Sequence, residues 1–229
     1  MVPGNAPTDA TGASVAAVVL AAGLASRMGS QKVVLPLLGR PLVRWVVDAA
    51  MGSRAVKTIV VVGHQADLVT EVLKGEAVSL VPNPDYAQGM STSLQAGLRA
   101  GGAEHDGAVF LLGDQPFVTA SLVDLLIERF EQTGKAIIRP VVDGRPTNPV
   151  LMSKALYAEI LRQRGDVGGR RVVEQHSEDI CLVAVDDPGL LMDIDSASDY
   201  EAARESMRRT AARTGSQNRR TRNRETNPS

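Results

Sequence analysis

The segment 21–32, AAGLASRMGSQK, places glycines and cations directly after the apolar run SVAAVVL. Gly23 and Gly29, with small side chains between them, would let backbone N–H groups approach an anion. Arg27 and Lys32 would offset the charge of that anion. This combination indicates a phosphate cradle at the end of a strand. A strand-to-helix turn with two surface cations fits the glycines equally well, so the other motifs have to decide.

Neither of the two common phosphate-binding loops fits this segment. A dinucleotide-binding turn needs G-x-G-x-x-G and an acidic residue about 20 residues later. Here Gly23 is followed by Leu24 and Ala25. A P-loop needs G-x-x-x-x-G-K-[ST], but Gly29 is followed by SQK, and neither Ser nor Thr comes after Lys32. The segment is therefore a cradle of another kind or an ordinary turn.

Asp114 stands in the motif GDQP, directly after the apolar run AVFLLG. Burying a carboxylate there would be costly unless a cation faced it. Beside triphosphate oxygens, a carboxylate is the kind of hard ligand with which proteins hold Mg²⁺. The alternative is a helix-capping role, although Thr119 and Ser121 already offer caps to the helical segment that follows.

The segment 192–199, MDIDSASD, contains two further carboxylates at alternating positions. If the segment is extended, Asp193 and Asp195 point to the same side and offer a second contact to a metal. Helix capping is the alternative, because Ser196 or Ser198 can start a helix after them.

These motifs need strands to position them, and the apolar pattern predicts such strands. The predicted strands are 14–20, 56–63, 77–81, 107–114 and 135–142, and the helices between them are 40–51, 66–74, 91–101 and 119–132. This alternation predicts an α/β fold, a single Rossmann-like three-layer domain with a mostly parallel sheet. Later in the chain we expect a helix near 153–163, a strand near 180–185 and a last helix at 197–209. Ligands of such sheets bind beyond the carboxyl ends of the strands, where 21–32 and GDQP both lie.

The composition is that of a soluble globular protein. The chain has 229 residues, of which 44% are hydrophobic, enough for one domain with a full core. No stretch reaches the ~20 apolar residues that span a bilayer, and the N-terminus has no cation or apolar segment of a secretory signal. Cys181 is the one cysteine, which excludes a disulfide framework, and its apolar strand predicts a core position. We therefore expect a cytoplasmic protein with no membrane partner.

Charge is unevenly distributed along the chain. The formal net charge is −1, but residues 207–229 contain seven arginines and one glutamate, so they carry +6 and the remainder −7. We expect 207–229 to be a disordered basic tail, 1–13 a flexible N-terminus and 14–206 the domain. A basic tail can bind a polyanion. We adopt the other interpretation, a solvated tail that aids solubility, and expect no nucleic-acid partner.

The segment from Leu20 to Lys32, LAAGLASRMGSQK, resembles the signature L-A-A-G-x-x-x-R-M-G-x-x-K of nucleotidyltransferases with a MobA-like fold. The likeness continues, in order, through 35–49, 60–67, 83–94, 111–116, 148–152, 164–170 and 192–199. It covers roughly residues 14–205 and is strongest toward the molybdenum cofactor cytidylyltransferases. The resemblance implies a nucleotide-diphospho-sugar transferase-like fold and a reaction that uses Mg²⁺.

The resemblance also implies a reaction and a set of site residues. CMP would pass from CTP to a molybdopterin-type acceptor with release of pyrophosphate, and a molybdoenzyme would receive the product. The implied catalytic residues are Arg27, Lys32 and Asp114. Asp114 would also be a metal ligand, together with Asp195 in preference to Asp193. The implied nucleotide-binding residues are Leu20, Ala21, Ala22, Gly23, Gly29, Lys32, Gly89, Ser93 and Asp114.

The choice of base is expected to depend on two positions in the cradle. Relatives that use guanine usually have a Gly–Gly pair where this chain has Ala22 and Gly23, and an Asp where it has Gln31. By resemblance, the residues that this chain has at these positions imply the use of a cytosine nucleotide. His64, in GHQAD at the end of the second strand, is expected to order a loop rather than to catalyse.

The chain departs from the family pattern at two places. Thr147 stands where glycine is common, on the side expected for the pterin, and Ser196 and Ala197 replace the Thr and Pro of D-x-D-T-P-x-D. The same domain occurs in proteins described as NAD(P)H-dependent oxidoreductases of the nicotine blue type, which makes NAD(P)H the cofactor of an alternative hypothesis. Lys32 and Asp114 favour the transferase, because hydride transfer needs neither. A chaperone that hands the cofactor to a partner enzyme is compatible with the transferase.

Overall fold

Runs of valine, isoleucine and leucine form the strands around which the protein is built. The computed structural model describes residues 12–23, 32–166 and 168–209. Its strands are β1 (Val15–Ala21), β2 (Pro36–Leu37), β3 (Arg40–Pro41), β4 (Lys57–Val62), β5 (Ser79–Pro82), β6 (Gly107–Leu112), β7 (Ile137–Val142), β8 (Arg145–Pro146), β9 (Val150–Ser153) and β10 (Ile180–Ala184). Its helices are α1 (Leu42–Met51), α2 (Ala66–Val72), α3 (Met90–Arg99), α4 (Ala120–Thr133), α5 (Tyr157–Ile160), α6 (Arg170–Gln175) and α7 (197–209). In these ranges, none of the helices is both long and apolar enough to cross a membrane.

Eight strands form the central sheet, in the order β5–β4–β1–β6–β9–β7–β10, with β8 paired to β7. The first four of these strands run parallel to one another. β9 is antiparallel to both β6 and β7, and β10 is parallel to β7. β2 and β3 form a separate hairpin. The prediction of an α/β domain with a mostly parallel sheet is confirmed.

Helices cover both faces of the sheet and so make three layers. Along β1, Val15, Ala17 and Val19 belong to a first core with α1 and α4. Val18 belongs to a second core with α3, α5 and α6. These four side chains are 0% exposed, because alternate residues of a strand point to opposite faces and both faces are covered. Burial of this aliphatic surface is the main source of stability.

A third, smaller apolar cluster holds α7 against the hairpin β2–β3. Its buried members are Leu37, Leu42, Ile194 and Ala203. Ile194 is 0% exposed and lies between Asp193 and Asp195, so its burial fixes the backbone that carries both carboxylates. The helix predicted at 197–209 is present.

The second half of the chain departs from the predicted elements. Instead of a helix near 153–163, there is one 3₁₀ turn followed by the four residues of α5. Leu156, Tyr157 and Ile160 are buried at helical spacing, but after Leu161 the residues RQR have no apolar side chain to continue that face. The strand β9 and the helix α6 were not predicted. Cys181 packs half-buried against the first core, because β10 is an edge strand with one open side.

Candidate active site

Two neighbouring strand ends bring the predicted site residues together. β1 and β6 are parallel, and Leu20 is in register with Leu112, the last residue of β6. Gly113 N donates a hydrogen bond to Leu20 O at 2.9 Å, which keeps the two chain exits side by side. Ala22 follows β1 and Asp114 follows β6, so both lie at the same edge of the sheet.

Lys32 lies between two carboxylates in what we call the lysine–aspartate cluster (Lys32, Asp114 and Asp195). The ammonium Nζ is 2.6 Å from Asp114 Oδ2 and 2.6 Å from Asp195 Oδ1. Burial lowers the pKa of Lys32, but the charge of Asp114 and hydrogen bonds to both carboxylates outweigh burial, so the pKa lies above its ordinary value. The ammonium therefore stays charged at neutral pH.

Asp193 has a different partner from Asp195. Gln115 Nε2 donates a hydrogen bond to Asp193 Oδ1 at 2.7 Å, and Gln115 is 4% exposed. The extended segment therefore offers Asp195 to Lys32 while Gln115 holds Asp193. Gln115 stands in the motif GDQP, but the sequence pattern does not predict its partner, because the contact joins residues 78 positions apart.

Ser196 and Asp199 form a capping box at the start of α7. Asp199 Oδ2 accepts hydrogen bonds from Ser196 Oγ at 2.6 Å and Ser196 N at 2.8 Å, and Asp199 N donates to Ser196 Oγ at 3.2 Å. The hydrogen bond from the Ser196 hydroxyl is the main reason that the pKa of Asp199 lies below its ordinary value. Asp195 N also donates to Asp199 Oδ2, at 3.2 Å. The segment thus caps a helix and presents Asp195 at the same time.

The segment between β5 and α3 forms one wall of the site. Asn83 is 4% exposed, and its Nδ2 donates to Ser93 Oγ at 3.0 Å. Gly89 turns the chain into α3 with a φ of +113°, and Ser91 N donates to Gly165 O at 3.2 Å. The wall is therefore joined to the distant segment around Gly165.

Together these segments enclose a cleft of about 500 Å³, within the usual size range of small-molecule sites. Most of the predicted site residues that the structure describes line the cleft: Leu20, Ala22, Gly23, Lys32, Ser93, Asp114, Asp193 and Asp195. Ala21 and Gly89 do not line it. Arg27 and Gly29 lie outside the described residues. Tyr86 and Asp166 also line the cleft. Asp166 belongs to RGDVGGR, to which the resemblance attached no role, and its Oδ1 accepts a hydrogen bond from Met90 N at 3.3 Å.

Two other residues that the sequence singled out hold segments in place. His64 N donates to Ala22 O at 3.4 Å, and its ring lies 5.9 Å from that of Tyr86, consistent with ordering of a loop. Thr147 was expected to add a side chain on the pterin side. Instead it is buried, and its Oγ1 donates to Leu190 O at 2.9 Å. Its side chain therefore holds the segment that precedes Asp193.

Asp114 and Asp195 fit a divalent cation. Carboxylate oxygens from two separate segments converge on one ammonium, which shows that the position favours positive charge. One or two carboxylates, completed by substrate phosphates and water, are the usual ligands of Mg²⁺. In the described part of the chain, no group of three or more His, Cys, Asp or Glu side chains could hold a metal without such help.

The chain is similar in sequence to known transferases. Residues 17–180 match the family described as the MobA-like NTP transferase domain. The chain is 28% identical over 190 residues to the molybdenum cofactor cytidylyltransferase of Escherichia coli K12, a match that covers 82% of this chain and 94% of that protein. It is 34% identical over 169 residues to the bifunctional protein GlmU of Pelobacter propionicus, where the match covers 71% of this chain and 34% of that protein.

The fold is also similar to solved structures. The protein Rv0371c of Mycobacterium tuberculosis H37Rv superposes with a TM-score of 0.77 at 26% identity, covering 85% of this chain and 99% of that one. A structure of the same protein in complex with manganese superposes with a TM-score of 0.72 at 25% identity, covering 84% of this chain and 99% of that one.

Proposed function

The chain belongs to the family of MobA-like NTP transferase domains, and we propose that within this family it transfers CMP from CTP to a molybdopterin-type acceptor. The observation that carries the proposal is the lysine–aspartate cluster at the carboxyl ends of β1 and β6. The name of the Escherichia coli relative supports both the nucleotide and the acceptor. A molybdoenzyme that receives the product, and a cytoplasmic place of action, belong to the same proposal.

The reaction is a displacement at the α-phosphorus of CTP. A phosphate oxygen of the acceptor forms a bond to this phosphorus while the bond to the oxygen bridging the β-phosphorus breaks, and pyrophosphate leaves with the electron pair. Such a step requires positioning and charge neutralisation rather than a covalent intermediate. In the proposal, the Lys32 ammonium supplies a mobile positive charge to the triphosphate. The backbone at Ala22 and Gly23 supplies the rest of the described cradle.

We assign Asp114 and Asp195 to the divalent cation, Mg²⁺ in this proposal. When bound, such an ion neutralises charge on the transferred phosphate and orients it. Asp193 is assigned a positioning role, because Gln115 engages it at 2.7 Å. The manganese complex of the Mycobacterium tuberculosis protein supports a divalent metal in this fold.

The choice of CTP over GTP rests on the resemblance at Ala22 and Gln31 and on the name of the Escherichia coli relative. Ala22 is 2% exposed and lies against Gly63, where an added Cβ would be only 2.8 Å from the Ala22 Cβ. Its methyl group therefore fixes the backbone of the cradle against the neighbouring strand end. Gln31, the other residue on which the choice rests, lies outside the described residues.

An NAD(P)H-dependent oxidoreductase is the second hypothesis for the same domain. A nicotinamide dinucleotide also presents a pyrophosphate to the cradle, but hydride transfer has no use for the lysine–aspartate cluster. We therefore place this hypothesis behind the transferase and include it in the experiment.

The experiment offers the purified protein each of the four ribonucleoside triphosphates with Mg²⁺ and molybdopterin, and measures pyrophosphate release. CTP is expected to give the highest kcat/KM. Equal or faster release from GTP would overturn the cytidylyl assignment, and no release from any triphosphate would overturn the transferase. A parallel assay follows NADPH oxidation with a dye acceptor, and turnover there alone would establish the oxidoreductase.

Carboxylate-to-amide variants test the metal assignment. We expect Asp114→Asn and Asp195→Asn to lower kcat/KM by roughly 100-fold or more, the scale of losing a preorganised charge contact. Asp193→Asn is expected to lose about tenfold, as for a residue that orients a ligand. Asp67→Asn, an exposed position on α2, is the control. A variant at Asp114 with wild-type melting temperature and undiminished pyrophosphate release would contradict the assignment.

A further inference from the structure

Asp166 is a carboxylate in the lining of the cleft to which the proposed reaction gives no task. The other three carboxylates of the lining have side-chain partners, since Lys32 contacts two of them and Gln115 the third. The Oδ1 atom of Asp166 accepts a hydrogen bond from a backbone group, Met90 N, at 3.3 Å. Its Oδ2 atom accepts none from the described residues, so an exposed acceptor remains available to a ligand in the cleft.

Two glycines let the segment that carries Asp166 pack against the start of α3. At Gly89, an added Cβ would lie 2.4 Å from Gly165 C. At Gly168, an added Cβ would lie 2.9 Å from Met90 Sδ. Approaches this close leave no room for a side chain at either position. The sequence therefore uses small residues on both sides of this contact, and Asp166 lies between them on the cleft.

A second contact with α3 fixes the chain that leads to Asp166. Gln95 Nε2 donates to Gln163 O at 2.7 Å and to Ile160 O at 3.3 Å. The segment is thus joined to α3 at two places, one helical turn apart. A carboxylate on a segment held in this way is positioned before a ligand arrives, which lowers the entropic cost of binding.

The surroundings of Asp166 limit the kind of group that it can bind. In the described part of the chain, no three His, Cys, Asp or Glu side chains form a metal-binding group, so Asp166 does not join Asp114 and Asp195 at the proposed cation. Its negative charge repels the phosphates of a nucleotide. The part of the nucleotide that faces Asp166 is therefore neutral and carries hydrogen-bond donors.

We propose that Asp166 binds the ribose of the nucleotide by accepting hydrogen bonds from its hydroxyl groups, and so selects ribonucleotides over deoxyribonucleotides. The ribose is the neutral group joined directly to the α-phosphate, and its 2′ and 3′ hydroxyls are two adjacent donors. An acidic residue that hydrogen-bonds a ribose hydroxyl is a recurring device of nucleotide-binding α/β folds. The identification of the ligand as a ribonucleoside triphosphate rests on the proposed function.

Isothermal titration calorimetry of the full chain with Mg²⁺ and no acceptor tests the proposal, with CTP, 2′-deoxy-CTP and 3′-deoxy-CTP as probes. We expect the wild type to bind CTP at least about tenfold more tightly than one of the deoxy analogues, the scale of a hydrogen bond to a charged group. Asp166→Ala should abolish this preference by weakening the binding of CTP and leaving that of the deoxy analogue unchanged. Asp166→Asn should reduce the preference, because its amide oxygen still accepts a hydrogen bond but carries no charge.

The matched control is Asp67→Ala, an exposed carboxylate in the first turn of another helix, α2, which should keep the wild-type preference. Melting temperatures show whether Asp166→Ala remains folded. If it does not, Asp166→Asn carries the test, because it keeps an acceptor for Met90 N.

Four outcomes would overturn the proposal. The first is equal binding of CTP and both deoxy analogues by the wild type, and the second is an unchanged preference in the Asp166 variants. The third is an equal loss of affinity for all three probes, which would mean that Asp166 only holds the wall of the cleft. The fourth is a dependence on Asp166 of the preference for CTP over UTP in place of the hydroxyl preference, which would assign the carboxylate to the amino group of cytosine.

Failure of the proposed function gives a different result. If the wild type binds CTP but transfers no nucleotide to molybdopterin, the proposed function fails, whereas a hydroxyl preference that depends on Asp166 still supports the ribose site. In the transfer assay, Asp166→Ala should raise the KM of CTP and leave that of the acceptor unchanged. A rise in the KM of the acceptor alone would place Asp166 at the acceptor and contradict the inference.

Discussion

At the scale of single residues, Lys32 dominates the electrostatics of the site. The side chain of Asp114 is 18% exposed, against 50% for Asp195, so water screens the pair with Asp114 less. Exposed ion pairs contribute little to the stability of a protein, so Asp114 is the stronger partner of the Lys32 ammonium. Removal of the ammonium would leave two neighbouring carboxylates without compensation, one of them largely buried.

We expect Lys32→Met to lower the melting temperature when no divalent cation is present. Mg²⁺ should then raise the melting temperature of the variant by more than that of the wild type. The reason is that the ion meets uncompensated carboxylates in the variant, whereas in the wild type it competes with an ammonium, and stabilisation follows affinity for the folded state. Scanning fluorimetry over a Mg²⁺ titration measures both effects.

The control for this experiment is Lys74→Met, at an exposed lysine whose ion pair with Glu71 is on the surface of the protein. Equal stabilisation of wild type and Lys32→Met by Mg²⁺ would show that the ion binds elsewhere. Pyrophosphate release by Lys32→Met should also fall, by roughly 100-fold, because the charge that follows the transferred phosphate is lost.

Sequence motifs could nominate Lys32, Asp114 and Asp195, because each stands in a short pattern at a strand end or helix start. The structure brings the three together, and their chemical roles stay predictions. Gln115 follows Asp114 in GDQP, but its contact with Asp193 could not be predicted, since the two residues are distant in the chain.

At the scale of elements, the strands next to the site were predictable and the antiparallel strand was not. β1, β4 and β6 are six or seven residues long, mostly apolar and covered on both faces, and such strands stand out in a sequence. β9 has only four residues, too few to show a period. Its direction depends on how the chain returns from β7 and β8, which no local pattern specifies.

Gly89 joins two elements of the cleft wall, and its replacement tests that joint. The residue has a φ of +113°, and an added Cβ would lie 2.6 Å from both Gly165 O and Asp166 N. We expect Gly89→Ala to move the 165–166 segment, to displace Asp166 from the cleft and to lower kcat/KM for CTP about tenfold or more. Steady-state kinetics and the melting temperature are the measurements.

Gly75→Ala is the matched control for Gly89→Ala. Gly75 also has a positive φ, +84°, but an added Cβ there would meet nothing within 4 Å. Alanine at Gly75 imposes backbone strain of about 1 kcal/mol. At Gly89, where ψ is 170°, alanine enters a region that essentially only glycine adopts, and the strain is about 1–3 kcal/mol. Loss of activity in Gly89→Ala alone would place the effect at this joint, where the contact with Gly165 and the added strain act together. Equal losses in both variants would mean that strain, and not the joint, is responsible.

At the scale of the whole molecule, the charge of the cleft opposes the substrate that we assign to it. Among the described lining residues, Lys32 is the cation, and the carboxylates are Asp114, Asp166, Asp193 and Asp195. A triphosphate is itself strongly anionic, so binding requires a divalent cation or further positive charge. The predicted basic tail is a candidate source of such charge, because a field from many arginines can steer an anion over a distance.

We nevertheless expect deletion of 210–229, which lies outside the described residues, to leave kcat/KM for CTP unchanged near 0.15 M salt. The deleted segment contains five arginines and one glutamate, and every proposed site residue precedes it. At that ionic strength the Debye length is ~8 Å, so exposed charges beyond that distance are largely screened.

The measurement is kcat/KM for the full-length and truncated proteins over a salt series. A full-length variant carrying glutamine at the five arginines separates the effect of charge from that of chain length. Loss confined to low salt, and shared by the glutamine variant, would assign the tail a steering role. A loss that persists at high salt would mean direct contact with the substrate, and the interpretation of 207–229 as a solvated tail would be wrong.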